Sequence, residues 1–119
     1  MNTRSEGNVT EDMAAHFLES KGYKIIKRNF LCKMGEVDII SISPENNLVF
    51  TEVKYRSSDL AGDPLDAVTY AKQKKICKTS LVFISKNPRF SDLQVRYDVI
   101  GIYRDFSIKH IENAFSYEW

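Results

Sequence analysis

The stretch Leu48-Val49-Phe50-Thr51-Glu52-Val53-Lys54-Tyr55-Arg56 constrains this chain more than any other. Aliphatic, β-branched and aromatic side chains dominate it, which predicts a strand. Side chains alternate across a strand. Leu48, Phe50, Glu52, Lys54 and Arg56 therefore share one face, and Val49, Thr51, Val53 and Tyr55 share the other. A strand flanked by neighbours buries such positions, and burying unpaired charge is costly. An acid and a base two residues apart are thus out of place here. The preceding predicted strand, Glu36 to Ser43, repeats the anomaly, because Asp38 shares a face with Ile40 and Ile42. Three ionisable groups on apolar faces of adjacent strands imply that they meet one another, or that a metal ion meets them.

The remaining elements can be placed around this pair. Thr10 is suited to cap a first helix, Glu11 and Asp12 suit its positive end, and Gly22 stops it. Residues 1–9 are expected to be flexible. Tyr23 to Leu31 reads as a strand. Pro44-Glu45-Asn46-Asn47 forms a short turn, so the strands around it predict an antiparallel hairpin. Ser57 to Asp66 reads as a loop, with Gly62, Asp63 and Pro64 as its turn residues. A long helix is expected from Thr69 to Lys86, ending before Pro88. Strands Gln94 to Tyr103 and Ser107 to Ile111 follow. The order α-β-β-β-α-β-β predicts a mixed sheet with helices packed on it, an α/β or α+β architecture.

A length of 119 residues fits one domain with a single core. No apolar run is long enough to span a membrane, and Met1 to Thr10 lacks a hydrophobic signal core, so a cytoplasmic location is expected. Cys32 and Cys77 have no metal-ligand spacing and are expected to be free thiols. A formal net charge of +1 argues against a large non-specific nucleic-acid surface, although a small site can be basic locally.

Two polar residues interrupt the apolar arcs of the helices. In the first helix Met13, Ala14, Ala15, Phe17 and Leu18 form the apolar arc, and Glu11 falls within it beside Leu18. In the second, Tyr70, Ile76, Cys77, Leu81, Phe83 and Ile84 form the arc, with Gln73 near its middle. Carboxylate oxygens suit Mg²⁺ or Mn²⁺. A lysine two residues from a ligating glutamate can orient a metal-bound water or offset charge on a reacting phosphate. Plainer roles stand beside these. Glu52 and Lys54 could form a surface ion pair, Asp38 could cap a turn, and Glu11 could serve the helix N-terminus. Gln73 could bond backbone, while Lys74, Lys75 and Lys78 could form a solvated face. Arg56 and Lys72 are candidates for phosphate contact. His16 reads as surface and His110 as structural.

The run Gly35-Glu36-Val37-Asp38-Ile39-Ile40, followed by Phe50-Thr51-Glu52-Val53-Lys54-Tyr55-Arg56, resembles the D-x(n)-E-x-K signature of the PD-(D/E)-x-K nuclease superfamily. That superfamily includes restriction endonucleases and archaeal-type Holliday junction resolvases. Over nearly its whole length the chain is similar to the YraN family of endonuclease-like bacterial proteins. The stretches Glu11-Asp12-Met13-Ala14-Ala15, Lys21-Gly22-Tyr23, Arg28-Asn29-Phe30, Lys72-Gln73, Arg96-Tyr97-Asp98 and His110-Ile111-Glu112-Asn113-Ala114-Phe115 carry that similarity. No proline precedes Asp38, and the superfamily dispenses with it.

The resemblance implies a restriction endonuclease-like core, αβββαβ, with a central mixed sheet flanked by helices and an extra C-terminal strand. It implies metal binding by Asp38, Glu52 and the Val53 carbonyl, with Lys54 serving the attacking water. Glu11 matches the first-helix acid of resolvase-like members. The implied activity is Mg²⁺- or Mn²⁺-dependent DNA hydrolysis, on branched or single-stranded DNA in recombination or repair. Arg56, Lys72 and Gln73 are then the expected nucleic-acid contacts, and resolvase-like relatives suggest a homodimer. The alternative is a non-catalytic nucleic-acid-binding or adaptor protein on the same fold. A third reading is an RNA or nucleotide hydrolase.

Overall fold

A computed structural model of the chain describes residues 3–56 and 64–117, with side chains described from residue 9 onward. The turn residues Gly62 and Asp63 lie outside that range. The elements are α1 (Thr3–Ser20), β1 (Lys24–Cys32), β2 (Gly35–Ile42), β3 (Leu48–Arg56), α2 (Tyr70–Lys86), β4 (Val95–Tyr103) and β5 (Ile108–Phe115), with short 3₁₀ turns at Pro64–Ala67 and Pro88–Phe90. The order is the one expected, and two boundaries differ by more than a residue or so. The first helix begins at Thr3 rather than near Thr10, since adding turns to an existing helix needs no new nucleus. The last strand runs to Phe115 rather than Ile111 because it pairs along β4 as far as Tyr97.

The five strands lie in sequence order. β3 and β4 are parallel, which requires a crossover, and α2 supplies it. All other pairs are antiparallel, including the β2–β3 hairpin expected from the turn at Pro44. The result is a mixed α/β fold.

Each helix covers one face of the sheet. Ala14, Ala15 and Leu18 of α1 pack with Tyr23, Ile39, Val49, Ile100 and Ile102. On the opposite face Ile76, Cys77 and Phe83 of α2 pack with Val37, Ile40, Leu48, Phe50, Tyr97 and Val99. The middle strands are buried from both sides, which explains their nearly continuous apolar runs. The buried stripe of α2 differs from the expected arc. Tyr70 and Leu81 are exposed, while Thr79 and Ser80 are buried. Those hydroxyls can be buried because Thr79 donates to the Lys75 carbonyl and Ser80 donates to the Cys77 carbonyl and pairs with the Tyr97 hydroxyl. Both cysteines are free thiols. Among the described residues no helix is long and apolar enough to cross a membrane.

Two features of the sheet position the candidate site. First, β2 and β3 pair only from Ile39↔Thr51 to Ile42↔Leu48, whereas β3 stays paired with β4 along its full length. Beyond Thr51 the sheet opens between β2 and β3. Second, the side-chain alternation of β2 breaks at the mouth of that opening. Val37 and Ile40 both pack toward α2, while Ile39 packs toward α1. Asp38 therefore does not simply share the Ile40 face, as strict alternation requires. Between the Arg28↔Ile39 and Phe30↔Val37 pairs, Asn29 of β1 takes a left-handed φ of 54°, which asparagine tolerates.

Candidate active site

Where a ladder ends, its backbone groups need other partners. The Ser43 N–H donates to the Asn47 carbonyl at the end of the hairpin, so odd-numbered residues leading into β3 turn their backbone groups toward β2. The Leu48 N–H, of the other parity, donates toward β4 at the Gln94 carbonyl. Val53 therefore presents its N–H to the opening, and Asp38 Oδ2 accepts that bond at 2.8 Å. In strand geometry the N–H and C=O of one residue project to the same side. The Val53 carbonyl is thus directed at the same opening.

Glu52 lies beside Asp38, its side chain only 5% exposed. Two ammonium groups reach it. Lys54 Nζ and Lys72 Nζ each stand 3.5 Å from Glu52 Oε2, with side-chain exposures of 30% and 40%. Burial, the neighbouring Glu52 charge, the Glu11 charge and a hydrogen bond with Glu52 all oppose ionisation of Asp38. The Val53 N–H works the other way and is outweighed, so the carboxyl of Asp38 is pushed up to about 8.

Glu11 reaches this region from α1 and is buried, as the helical arc predicts. Its Oε1 accepts from Arg28 Nε at 3.1 Å and from Asn29 Nδ2 at 2.8 Å. Arg28 also binds Asp12 at 2.6 Å. Glu11 is therefore close enough to act on Asp38 electrostatically, while its Oε1 is engaged on the β1 side. Gln73 donates to the Val68 carbonyl at 3.0 Å, a backbone bond of the kind expected of it. Lys72 turns to Glu52. Arg56 is half-buried at the end of β3, while Lys74, Lys75 and Lys78 are exposed. His16 is a surface residue near Glu19.

Among the described residues, no group of three or more His, Cys, Asp or Glu side chains is arranged to hold a metal ion. The donor set at the opening is two carboxylates and a backbone carbonyl. That set fits Mg²⁺ or Mn²⁺, which keep several waters and use one or two carboxylates plus substrate oxygens. It does not fit zinc, which favours nitrogen and sulfur ligands.

A second charged cluster escaped the sequence reading. Asp98 of β4 is fully buried and accepts from Arg96 Nε and NH2 at 2.9 Å each, from the Asn113 N–H at 2.9 Å, and pairs with His110 Nε2 at 2.8 Å. Arg96 also donates to the Tyr23 hydroxyl, and Lys21 Nζ lies 3.2 Å from His110 Nδ1. Phe17 and Tyr23 meet the His110 ring edge-on. Burial opposes ionisation of Asp98, but bonds from His110, Arg96 and Asn113 overcome it and hold the carboxyl below its usual range. The available signal was an aspartate inside the apolar run Tyr97-Asp98-Val99-Ile100 with an arginine two residues away. This cluster ties β5 to β4 and to the end of α1, which gives His110 the structural role expected of it.

Comparison with known proteins matches residues 10–102 to the model of Uncharacterised protein family UPF0102. A UPF0102 protein of Caldanaerobacter subterraneus subsp. tengcongensis is 41% identical over 97% of this chain and 98% of its own length. One from Pelobacter propionicus is 45% identical over 94% of this chain and 83% of its own. A third, from Desulforamulus reducens, is 40% identical over 91% and 93%. With the family model spanning most of the chain and relatives matching nearly end to end, the chain belongs to the UPF0102 family.

Proposed function

We propose that this protein is a divalent-metal-dependent endonuclease that hydrolyses DNA phosphodiester bonds on a PD-(D/E)-x-K, restriction endonuclease-like core. The observation that supports the reading is the opening between β2 and β3, where Asp38 accepts the Val53 N–H and neighbours Glu52, with Lys54 paired to Glu52. Asp38, Glu52 and Val53 would hold Mg²⁺ or Mn²⁺. When bound, the ion supplies Lewis-acid polarisation of a phosphoryl oxygen and a more acidic water.

The chain's own groups account for the rest. Asp38 is fixed by the Val53 N–H, so its carboxyl is oriented before any ligand arrives. Lys54 presents its ammonium at the rim of the opening, where it can orient the attacking water and offset negative charge growing on the phosphate. Glu11, held by Arg28 and Asn29, adds negative potential that favours a cation over an empty carboxylate pair. Branched or single-stranded DNA is the substrate class we favour, because a near-neutral chain offers little surface for tracking a long duplex.

The decisive experiment incubates the purified protein with junction, flap, single-stranded and duplex DNA in Mn²⁺. Wild type should cleave at least one of these. Asp38→Ala and Lys54→Ala should keep the fold by circular dichroism and lose cleavage. Wild type that cleaves none of the four sinks the enzyme reading.

One observation favours a second reading, a non-catalytic nucleic-acid-binding protein. Glu52 already has two lysine partners and is neutralised without a metal. On that reading DNA binding depends on salt and is indifferent to Glu52→Gln. Metal- and Glu52-dependent binding excludes it.

A further inference from the structure

Lys72 stands in a costly place. It lies in the first turn of α2, where Thr69 caps the helix by accepting the Lys72 N–H at 3.2 Å. The positive end of the helix dipole disfavours a cation there. No acidic residue occupies that first turn to compensate. Gln73 pins the same turn by bonding the Val68 carbonyl, so the position of Lys72 is not left to a loose helix end. What compensates is Glu52, at the same 3.5 Å separation that Lys54 keeps.

A buried carboxylate at the edge of an opening needs neutralisation, and one lysine suffices for one charge. The second ammonium comes from a different element, α2, yet reaches the same oxygen, Glu52 Oε2, and its side chain is 40% exposed, so solvent and other cations can exchange with it. We propose that Lys72 is a positioning residue that holds Glu52 in the metal-free protein and competes with the divalent cation for that carboxylate. This rests on the metal-site reading above and adds to it a built-in competitor that sets how tightly the ion is bound. Lys72 makes the empty site tolerable until the ion and an anionic substrate arrive together.

The test is calorimetric titration of Mn²⁺ into the metal-free full chain, for wild type, Lys72→Met, Lys72→Arg and Lys78→Met. Lys78 is exposed on the same helix and controls for the simple loss of one positive charge. The fold of each variant is checked by thermal melting in EDTA. Lys72→Met should bind Mn²⁺ about threefold to tenfold more tightly than wild type, the effect of removing one half-exposed ion pair from a buried carboxylate. Lys72→Arg should return toward the wild-type affinity, and Lys78→Met should match wild type. If wild type binds Mn²⁺ and Lys72→Met binds it equally or more weakly, the competition is refuted while the metal site stands. An affinity gain of the same size in Lys78→Met also refutes it, since the effect is then general charge. If neither wild type nor Lys72→Met binds Mn²⁺, the metal-site reading itself falls and this inference with it.

Discussion

Replacing Asp38 with asparagine should stabilise the metal-free protein, increasingly so as pH rises. Asparagine keeps an acceptor for the Val53 N–H and removes the charge that burial and Glu52 oppose. The folded-state carboxyl titrates near 8 rather than at its usual 3.8. The folded state therefore holds a proton that the unfolded chain has released, and wild-type stability falls across that whole window as pH rises. At about 1.4 kcal/mol per pH unit, the full loss approaches roughly 5 kcal/mol by pH 8. Asp38 is only half-buried, and water entering the opening screens it, so we expect about 2–3 kcal/mol at pH 8 and under about 1 kcal/mol at pH 5. Urea unfolding in EDTA, followed by circular dichroism at both pH values, measures the difference. A variant no more stable than wild type at pH 8, or an advantage that does not grow with pH, refutes the reasoning about the carboxylate pair.

Other perturbations test the surrounding structure. Gly101→Ala would place a Cβ 2.2 Å from Pro64 Cγ, so the 3₁₀ turn after β3 must shift; we expect a loss of about 1–3 kcal/mol in urea denaturation. Asp98→Asn leaves Arg96, only 13% exposed, without its main partner and should destabilise by about 3–5 kcal/mol at neutral pH. Because Asp98 is held below its usual range, its stabilisation is present above that range and fades as pH falls through the folded value. The gap between wild type and Asp98→Asn should accordingly narrow in acid below about pH 4, and a constant gap contradicts the assignment. Asn29→Ala loses the bond to Glu11 and keeps a left-handed backbone; a drop of about 1–2 kcal/mol is expected, with Asn29→Gly recovering part of it, both read from melting curves.

Much of the candidate site was legible because charge on an apolar face is a strong local signal. Glu52 and Lys54 stand out in Leu48–Arg56 by alternation alone, and Glu11 by helical periodicity; the structure buries Glu52 and Glu11 and leaves Lys54 at the rim. The break at Asp38 was not legible, because it depends on where the β2–β3 ladder ends, a property of two strands together. The same holds for Arg28 and Asn29, whose roles appear only once β1 lies beside α1. Periodicity puts Tyr70 and Leu81 on the buried side because it weighs them by hydrophobicity, yet both are exposed. The helix instead buries Thr79 and Ser80, whose hydroxyls bond carbonyls one turn back. Asp98 was overlooked as chemistry because its partners come from β5 and from within β4, at separations that no local pattern reports.

Crystals of the wild-type protein soaked in Mn²⁺ put the account to its most direct trial. We predict an anomalous peak in the opening between β2 and β3, about 2.0–2.5 Å from a carboxylate oxygen of Asp38, a carboxylate oxygen of Glu52 and the Val53 carbonyl. A soak that leaves Glu52 bound to both lysines, with no peak between residues 38 and 52 at saturating Mn²⁺, contradicts it.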